Sequence, residues 1–351
     1  MKKNWWKILG VLLLLYVLTV GMLIPLKPGI VEVIPGSVRT GDQIDLKVLG
    51  YNSFYSLAKK PIRAWLKLDD DRALQASDVK VTSDRQLAIR FDIPDYLPIN
   101  TKVQDFALVL DSDADGPSIL PSAVFVTQDS IDPEMGLQVW KNSPIDQLTS
   151  KNILTFPFRN ILSETIRNTY FHVSLWLSMM IIFIGSVGTS IGYLRTNNLD
   201  FDRKAKALTV AGFLFGLLGL TTGAIWANYT WGQPWSNDVK QITTAIALLI
   251  YGAYFILRSA FEDEEQKARI SAIYNIFAFV TLIPLLYVIP RMTDSLHPGA
   301  GGNPAFGSQD LDSTMRMIFY PAVIGWALIG LWMAQLLYRV DRIRAKLLDL
   351  H

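Results

Sequence analysis

Apolar residues along this chain come in blocks separated by polar, turn-rich stretches. Ile8–Leu26 is a nearly unbroken apolar run, preceded by a basic segment carrying Trp5 and Trp6. Five further runs follow: Phe171–Leu194, Ala207–Trp226, Ile242–Leu257, Ile270–Ile289 and Ile318–Tyr338. A helix needs about 20 mostly apolar residues to cross the hydrocarbon core of a bilayer, and each run is of that order. The first run is long and is not followed by a small-x-small cleavage site, so it reads as an uncleaved span rather than a signal peptide. Pro284 and Pro290 are expected to kink or end the fifth span.

Between the first two runs the pattern changes period. Ile44-Asp-Leu-Lys-Val-Leu, Ile62-Arg-Ala-Trp-Leu-Lys-Leu, Gln86-Leu-Ala-Ile-Arg-Phe and Phe106-Ala-Leu-Val-Leu alternate as half-buried strands do. Pro35-Gly36, Gly41-Asp42, Asp69–Asp71 and Asp111–Gly116 supply turns. The predicted fold class is a polytopic α-helical membrane protein with six transmembrane helices. A small all-β domain, an immunoglobulin-like sandwich, is inserted after the first helix. The expected division is 1–26 for the first helix, 27–130 for the β domain, 131–167 for a connector and 168–351 for a five-helix membrane domain. Within the connector, Ile153–Ile166 has helical spacing of apolar residues and reads as a helix lying along the membrane surface. The Asp70/Asp71 and Asp111–Asp115 clusters read either as Ca²⁺ ligands or as acidic turns in water; neither has the spacing of a calcium loop.

Composition narrows the function. Half of the 351 residues are hydrophobic and the net charge is +2, so the distribution of charge matters more than its sum. Lys2, Lys3, Lys7, Arg195, Arg203, Lys204, Lys206, Arg258, Lys267, Arg269, Arg339, Arg342, Arg344 and Lys346 flank one set of span ends. Only Lys27, Arg167, Lys240, Arg291 and Arg316 flank the other. Basic residues mark cytoplasmic ends, which predicts both termini in the cytoplasm and the β domain outside. Basic residues form no stripe, so no nucleic-acid partner is expected; membrane lipid is. There is no cysteine, hence no disulfide, thiolate metal site or CxxC redox chemistry. No nucleophile is paired with a histidine and no charged residue sits in the middle of a span, which argues against a hydrolase and against a transporter.

The candidate chemistry lies at the outer ends. Of three histidines, His351 is a tail residue, His172 opens the second span and His297 lies in the loop before the sixth. The third and fourth spans are joined by Trp226-Ala-Asn-Tyr-Thr-Trp-Gly-Gln-Pro-Trp-Ser-Asn-Asp238, three tryptophans in a short polar linker. Such rings serve either as an interfacial belt or as a shelf for a large flat ligand. Two imidazoles suit the axial positions of haem iron, and haem carboxylates need cations, for which Arg167, Lys240, Arg291 and Arg316 are available. Snorkelling at the interface is the other reading of those cations. Asp238 is also placed to cap the fourth span.

Thr230-Trp-Gly-Gln-Pro-Trp-Ser-Asn-Asp238 resembles the tryptophan-rich "WWD" signature of the haem-handling proteins of cytochrome c maturation. Trp231, Gly232, Trp235 and Asp238 match the pattern W-G-x-x-W-x-W-D, while Asn237 stands where a further Trp is usual. Tyr170-Phe-His-Val173 and Ser295-Leu-His297 resemble the segments carrying the two ligand histidines, with Ser174 where Pro is common. Six spans and two flanking histidines resemble the CcmC branch, and the likeness covers Arg167 to Arg344; the β domain is extra to it. The resemblance implies a haem-delivery protein of the bacterial inner membrane rather than an enzyme. It implies haem b, held transiently and without a covalent bond, with His172 and His297 as axial ligands and Trp226, Trp231 and Trp235 as the shelf. Gly232 sets the loop backbone, and Asp238 shapes the loop or meets a partner. The implied partners are the haem chaperone CcmE, the ABC-transporter subunits CcmA and CcmB, and the small protein CcmD. The alternatives are a membrane-anchored scaffold or receptor using the β domain, and a b-type electron-transfer cytochrome, which would need histidines inside the spans.

Overall fold

The computed structural model describes residues 4–140, 145–151, 153–297 and 311–348; Lys2, Lys3 and His351 lie outside them. The chain forms two units, Pro25–Ser163 and a second made of Met1–Ile24 with Glu164–His351.

The first unit is all-β apart from short helical turns. Its strands are β1 (Gly29–Ile34), β2 (Ser37–Arg39), β3 (Gln43–Tyr51), β4 (Arg63–Lys67), β5 (Ala73–Gln75), β6 (Asp78–Ser83), β7 (Gln86–Asp92), β8 (Val103–Ser112) and β9 (Gly116–Thr127). They form a four-stranded sheet, β1-β3-β7-β6, and a five-stranded sheet, β2-β9-β8-β4-β5. Alternation decides which side chains go in: Ile44, Leu46 and Val48 of β3 face inward while Gln43, Asp45 and Lys47 face water. Leu46 pairs in register with Ile89 of β7, and both are fully buried. Leu66, Leu108, Leu110, Val124 and Val126 of the other sheet complete one shared core. Each such side chain contributes about 1.5–3 kcal/mol by leaving water.

The acidic clusters of this unit are tied into its own loops. Buried Asp111 accepts from Arg63 Nη2 at 2.6 Å and from the Thr149 N–H at 2.9 Å. Asp69 pairs with Arg72 and Asp70 with Lys67. Among the described residues, no group of three or more acidic or histidine side chains is arranged to hold a metal.

The connector departs from the expectation of a surface helix over Ile153–Ile166. The residues from Ile153 to Arg159 form no helix, and Phe156 makes a parallel bridge with Leu26. Its N–H donates to Pro25 O at 3.0 Å and its carbonyl accepts from Lys27 at 2.8 Å. Pro157 has no N–H to give a helix, and the strand-like pairing satisfies the backbone instead. Helical backbone begins only with the 3₁₀ turn Ser163–Tyr170. A short helix that the sequence pattern did not announce, α2 (Pro133–Val139), is capped by Asp132.

The second unit is helical: α1 (Trp5–Leu23), α3 (His172–Thr196), α4 (Leu199–Trp231), α5 (Val239–Ser259), α6 (Glu264–Ile283), α7 (Ile289–Met292) and α8 (Ser313–Leu348). Among the described residues, six helices are long and apolar enough to cross a membrane. The chain is a multi-pass membrane protein. Its helices keep large apolar side chains on their outer surfaces, such as Leu249 and Ile256, each 73% exposed, as a bilayer-facing surface requires. Inside, Phe183 of α3 stacks on Tyr251 of α5 at 3.8 Å. Asn275 of α6 donates to Ser186 at 2.7 Å and to Ser190 at 2.9 Å, binding α6 to α3. Arg258 of α5 donates to buried Asp202 of α4 at 2.7 Å. Past Pro284, α6 widens into a π-helical turn, Pro284–Val288, that leads into α7. That turn re-aims Leu286, Tyr287, Pro290 and Arg291 toward one cleft.

Candidate functional site

The cleft lies where the start of α3, the α4–α5 junction and the end of α7 meet. It encloses about 1090 Å³ of empty space, counting the part open to solvent. Val173, Trp176, Leu177, Leu220 and Leu286 make its wall mostly apolar; His172, His297, Lys240, Gln241 and Arg291 are among its polar groups.

His172 is the first residue of α3. Its Nδ1 lies 2.9 Å from the Gly219 carbonyl and 3.3 Å from Thr222 Oγ1. A carbonyl only accepts, so Nδ1 carries the proton and Nε2 keeps its lone pair. Gly223 makes room for the ring: a Cβ there would sit 2.6 Å from His172 Cε1.

His297 is held on the opposite chain segment by Asp238. Its Nδ1 lies 2.8 Å from Asp238 Oδ1. Asp238 caps α5 by accepting the Lys240 N–H at 2.9 Å, and it also accepts the Leu296 N–H at 2.8 Å and the Ser295 hydroxyl at 2.9 Å. Burial raises the Asp238 pKa, but these donors outweigh it and hold the carboxyl below its usual value. Burial and the nearby Lys240 push His297 down to about 4 against the pull of Asp238. At neutral pH the pair is therefore a carboxylate accepting from a neutral imidazole, and the Nε2 lone pair of His297 is free. Among the described residues, neither histidine has a hydrogen-bond partner at Nε2.

The tryptophans divide between two tasks. Trp226 and Trp231 meet edge to face at 4.9 Å and pack on the His297 ring at 5.8 and 4.8 Å. They back the imidazole rather than form a flat shelf along the cleft, and only Trp235 of the three lines it. Gly232 ends α4 in the left-handed conformation, φ 79°, which a Cβ would strain. Asn237 is also left-handed, φ 55°, and its Oδ1 accepts Trp235 Nε1 at 3.0 Å. Asn tolerates that backbone better than the bulky aromatic usual at this position of the motif.

The cations also separate. Arg291 and Lys240 line the cleft, and neither has an ion-pair partner among the described residues. Arg167 and Arg316, expected beside them, do not line it. Arg167 donates to the Gly21 and Ile24 carbonyls at 2.7 and 2.8 Å and pairs with Glu164, fastening the end of α1. Arg316 donates to the Leu311 carbonyl at 3.0 Å. Free carbonyls at a helix end recruit a guanidinium strongly. Gln241 was not singled out from the sequence. It accepts the Ser236 N–H at 2.9 Å and donates to the Pro234 carbonyl at 3.2 Å, bracing the tryptophan loop. Its signal was legible as a spacing, Gln three residues after an N-cap Asp, although here the amide reaches Ser236 and Pro234 rather than the Asp238 N–H of a capping box. Trp176 and Tyr287 were hidden among apolar span residues.

Two anchored imidazoles with free nitrogens, an apolar wall and two unpaired cations suit a large apolar ligand that carries a metal and an anionic edge. Comparison with known proteins points the same way. Residues 161–297 match the family model described as cytochrome C assembly protein. The chain is 27% identical to heme exporter protein C of Paracoccus denitrificans over 175 residues, which is 50% of this chain and 71% of that protein. It is 26% identical to heme exporter protein C of Haemophilus influenzae over 138 residues, 55% of that protein. A shorter stretch of 85 residues is 36% identical to cytochrome c biogenesis protein CcsA of Prochlorococcus marinus, covering 27% of it.

Proposed function

From a membrane unit that is CcmC-like and matches the cytochrome c assembly family over residues 161–297, we propose that this chain handles haem for cytochrome c biogenesis. It takes haem into the cleft between His172 and His297 and hands it to an acceptor protein. The observation that carries this reading is the matched pair of histidines. Each has Nδ1 committed to a protein acceptor, and each lines one cleft with Nε2 uncommitted. Haem is the cargo, b-type and released without any covalent bond. His172 and His297 would hold its iron through Nε2, Trp176, Trp235 and Leu220 would offer apolar contact to its ring, and Lys240 and Arg291 would meet its carboxylates.

The bias of Lys and Arg among span ends supports a reading in which both termini lie in the cytoplasm and the cleft and the β unit face the outer side of a bacterial inner membrane. On that side the acceptor is a CcmE-like haem chaperone, and CcmA, CcmB and CcmD counterparts complete the assembly. The chain acts as a delivery protein and makes or breaks no bond within the porphyrin.

The test is an absorption spectrum of the detergent-purified protein, oxidised and then reduced. A Soret band with sharp reduced bands is expected, shifted or lost in His172→Ala and His297→Ala. No Soret band after haem is added to the wild type, or an unchanged spectrum in both variants, refutes the assignment.

A further inference from the structure

The two imidazoles are not equivalent. His172 Nδ1 donates to a neutral backbone carbonyl, that of Gly219, at 2.9 Å. His297 Nδ1 donates to an ionised carboxylate at 2.8 Å. Both residues of that second pair are shielded, with side-chain exposures of 12% for His297 and 3% for Asp238. A hydrogen bond to a carboxylate in such surroundings makes an imidazole a stronger donor at its other nitrogen, whereas one to a carbonyl does so less.

Asp238 also does more than cap a helix. A capping carboxylate needs only the backbone N–H groups of the first turn. This one accepts from the Lys240 N–H at the start of α5 and from Ser295, Leu296 and His297 across the junction. It therefore fixes the position of the His297 segment against α5, and fixes the ring within that segment. The aromatic rings of Trp226 and Trp231 hold the same imidazole from the other side.

Resting on the haem reading above, we propose that Asp238 is a positioning residue that sets the tautomer and donor strength of His297, making the two haem-iron ligands unequal. His297 is the strong, persistent ligand. His172 is the weaker one and is the first to let go when haem leaves. The inequality gives the site a direction: haem stays tethered through His297 while the face held by His172 opens to the acceptor.

Two substitutions separate this role from simple capping. Asp238→Ser keeps an effective helix cap but cannot reach across to the imidazole. Asp238→Asn keeps a hydrogen-bond acceptor but removes the charge. Haem titration of the purified full chain should show affinity falling about 10–100-fold in Asp238→Ser. In Asp238→Asn, haem binding should persist with the reduction potential of the iron shifted upward, because a less basic imidazole stabilises the ferric state less. The chain has three histidines in all, so ¹⁵N-histidine spectra of the haem-free protein can assign each ring. Wild-type His297 should carry its proton on Nδ1, and Asp238→Ser should lose that preference while His172 keeps it. Wild-type haem affinity in Asp238→Ser with an unshifted potential in Asp238→Asn overturns the proposal. So does a His297 tautomer indifferent to both substitutions. If the wild type takes up no haem at all, the haem reading falls with it. If it binds haem and the variants match it, only the role of Asp238 falls.

Discussion

Gly223→Ala is the most economical perturbation of the proposed haem site, because it adds one methyl group beside His172 and replaces no candidate ligand. A Cβ built at Gly223 lies 2.6 Å from His172 Cε1, 3.2 Å from Nδ1 and 3.5 Å from Nε2. The imidazole must retreat by about 0.8 Å to restore ordinary contact at 3.4 Å. It has little slack, because its Nδ1 is pinned to the Gly219 carbonyl at 2.9 Å and Trp176 packs edge-on at 6.3 Å between ring centres. Overpacking of this kind costs about 1–3 kcal/mol, and loosening the hydrogen bond about 1 more. Alanine in place of glycine within α4 returns up to about 1 kcal/mol. The helix bundle therefore loses at most a few kcal/mol, whereas the ligand is displaced beyond the roughly 0.5 Å that a binding geometry tolerates. Haem affinity should drop at least about tenfold, equivalent to about 1.4 kcal/mol. Haem titration followed at the Soret band reads this, with Gly252→Ala as the matched control. A Cβ at Gly252 meets nothing within 4 Å, so that variant should bind as the wild type does. If Gly223→Ala also binds as the wild type does, the His172 ring is not the ligand the geometry makes it.

Other expectations follow from groups at and away from the cleft. His297 has a pKa depressed to about 4 from the ordinary 6.5, so the unfolded chain binds more protons than the folded one between those values. Its contribution to stability is complete above pH 6.5 and is lost as pH falls toward 4; thermal unfolding of the haem-free protein should show this slope, and His297→Gln should lessen it. Arg258→Ala strands Asp202 as an unpaired buried charge and should cost about 3–5 kcal/mol in detergent unfolding experiments, without shifting the haem spectrum. An unaltered unfolding midpoint would mean that water reaches Asp202. Trp231→Ala removes two edge-to-face contacts, with Trp226 and with His297. At about 0.5–1.5 kcal/mol each, their loss should weaken haem binding while leaving a bis-histidine spectrum; a spectrum with one ligand missing would show that Trp231 is indispensable for placing His297.

The parts of this molecule that were legible in its sequence share a physical cause: a repeated pattern enforced by a bulk environment. Bilayer thickness dictates the six apolar blocks, and burial on one face dictates the alternation of Ile44, Leu46 and Val48 in β3. Helix ends were less legible because they extend beyond the apolar blocks. α4 runs from Leu199 to Trp231, with polar first turns capped by Asn198, whereas hydrophobicity alone marks only Ala207–Trp226. The connector misled for the same reason in reverse. Apolar residues at helical spacing over Ile153–Ile166 carry no information about Pro25 and Lys27, distant in sequence, which supply the backbone partners of Phe156.

Within the candidate site, residue type announced the players but not their pairings. Two non-tail histidines, three clustered tryptophans and an aspartate at a helix start all stand out in a chain of apolar spans. That Arg167 would be drawn to the open carbonyls of Gly21 and Ile24, and so away from the cleft, depends on a helix end far along the chain. That Asp238 would grip His297 depends on α7 returning to the start of α5, which the π-helical turn after Pro284 arranges. Asn237 makes the point most sharply. In the sequence it is only the absence of an expected tryptophan. In three dimensions it occupies a left-handed backbone position and accepts the Trp235 indole N–H, one residue before the carboxylate that holds His297. A substitution that weakens the motif as a pattern thus supplies the turn on which the Trp235 and Asp238 side chains depend.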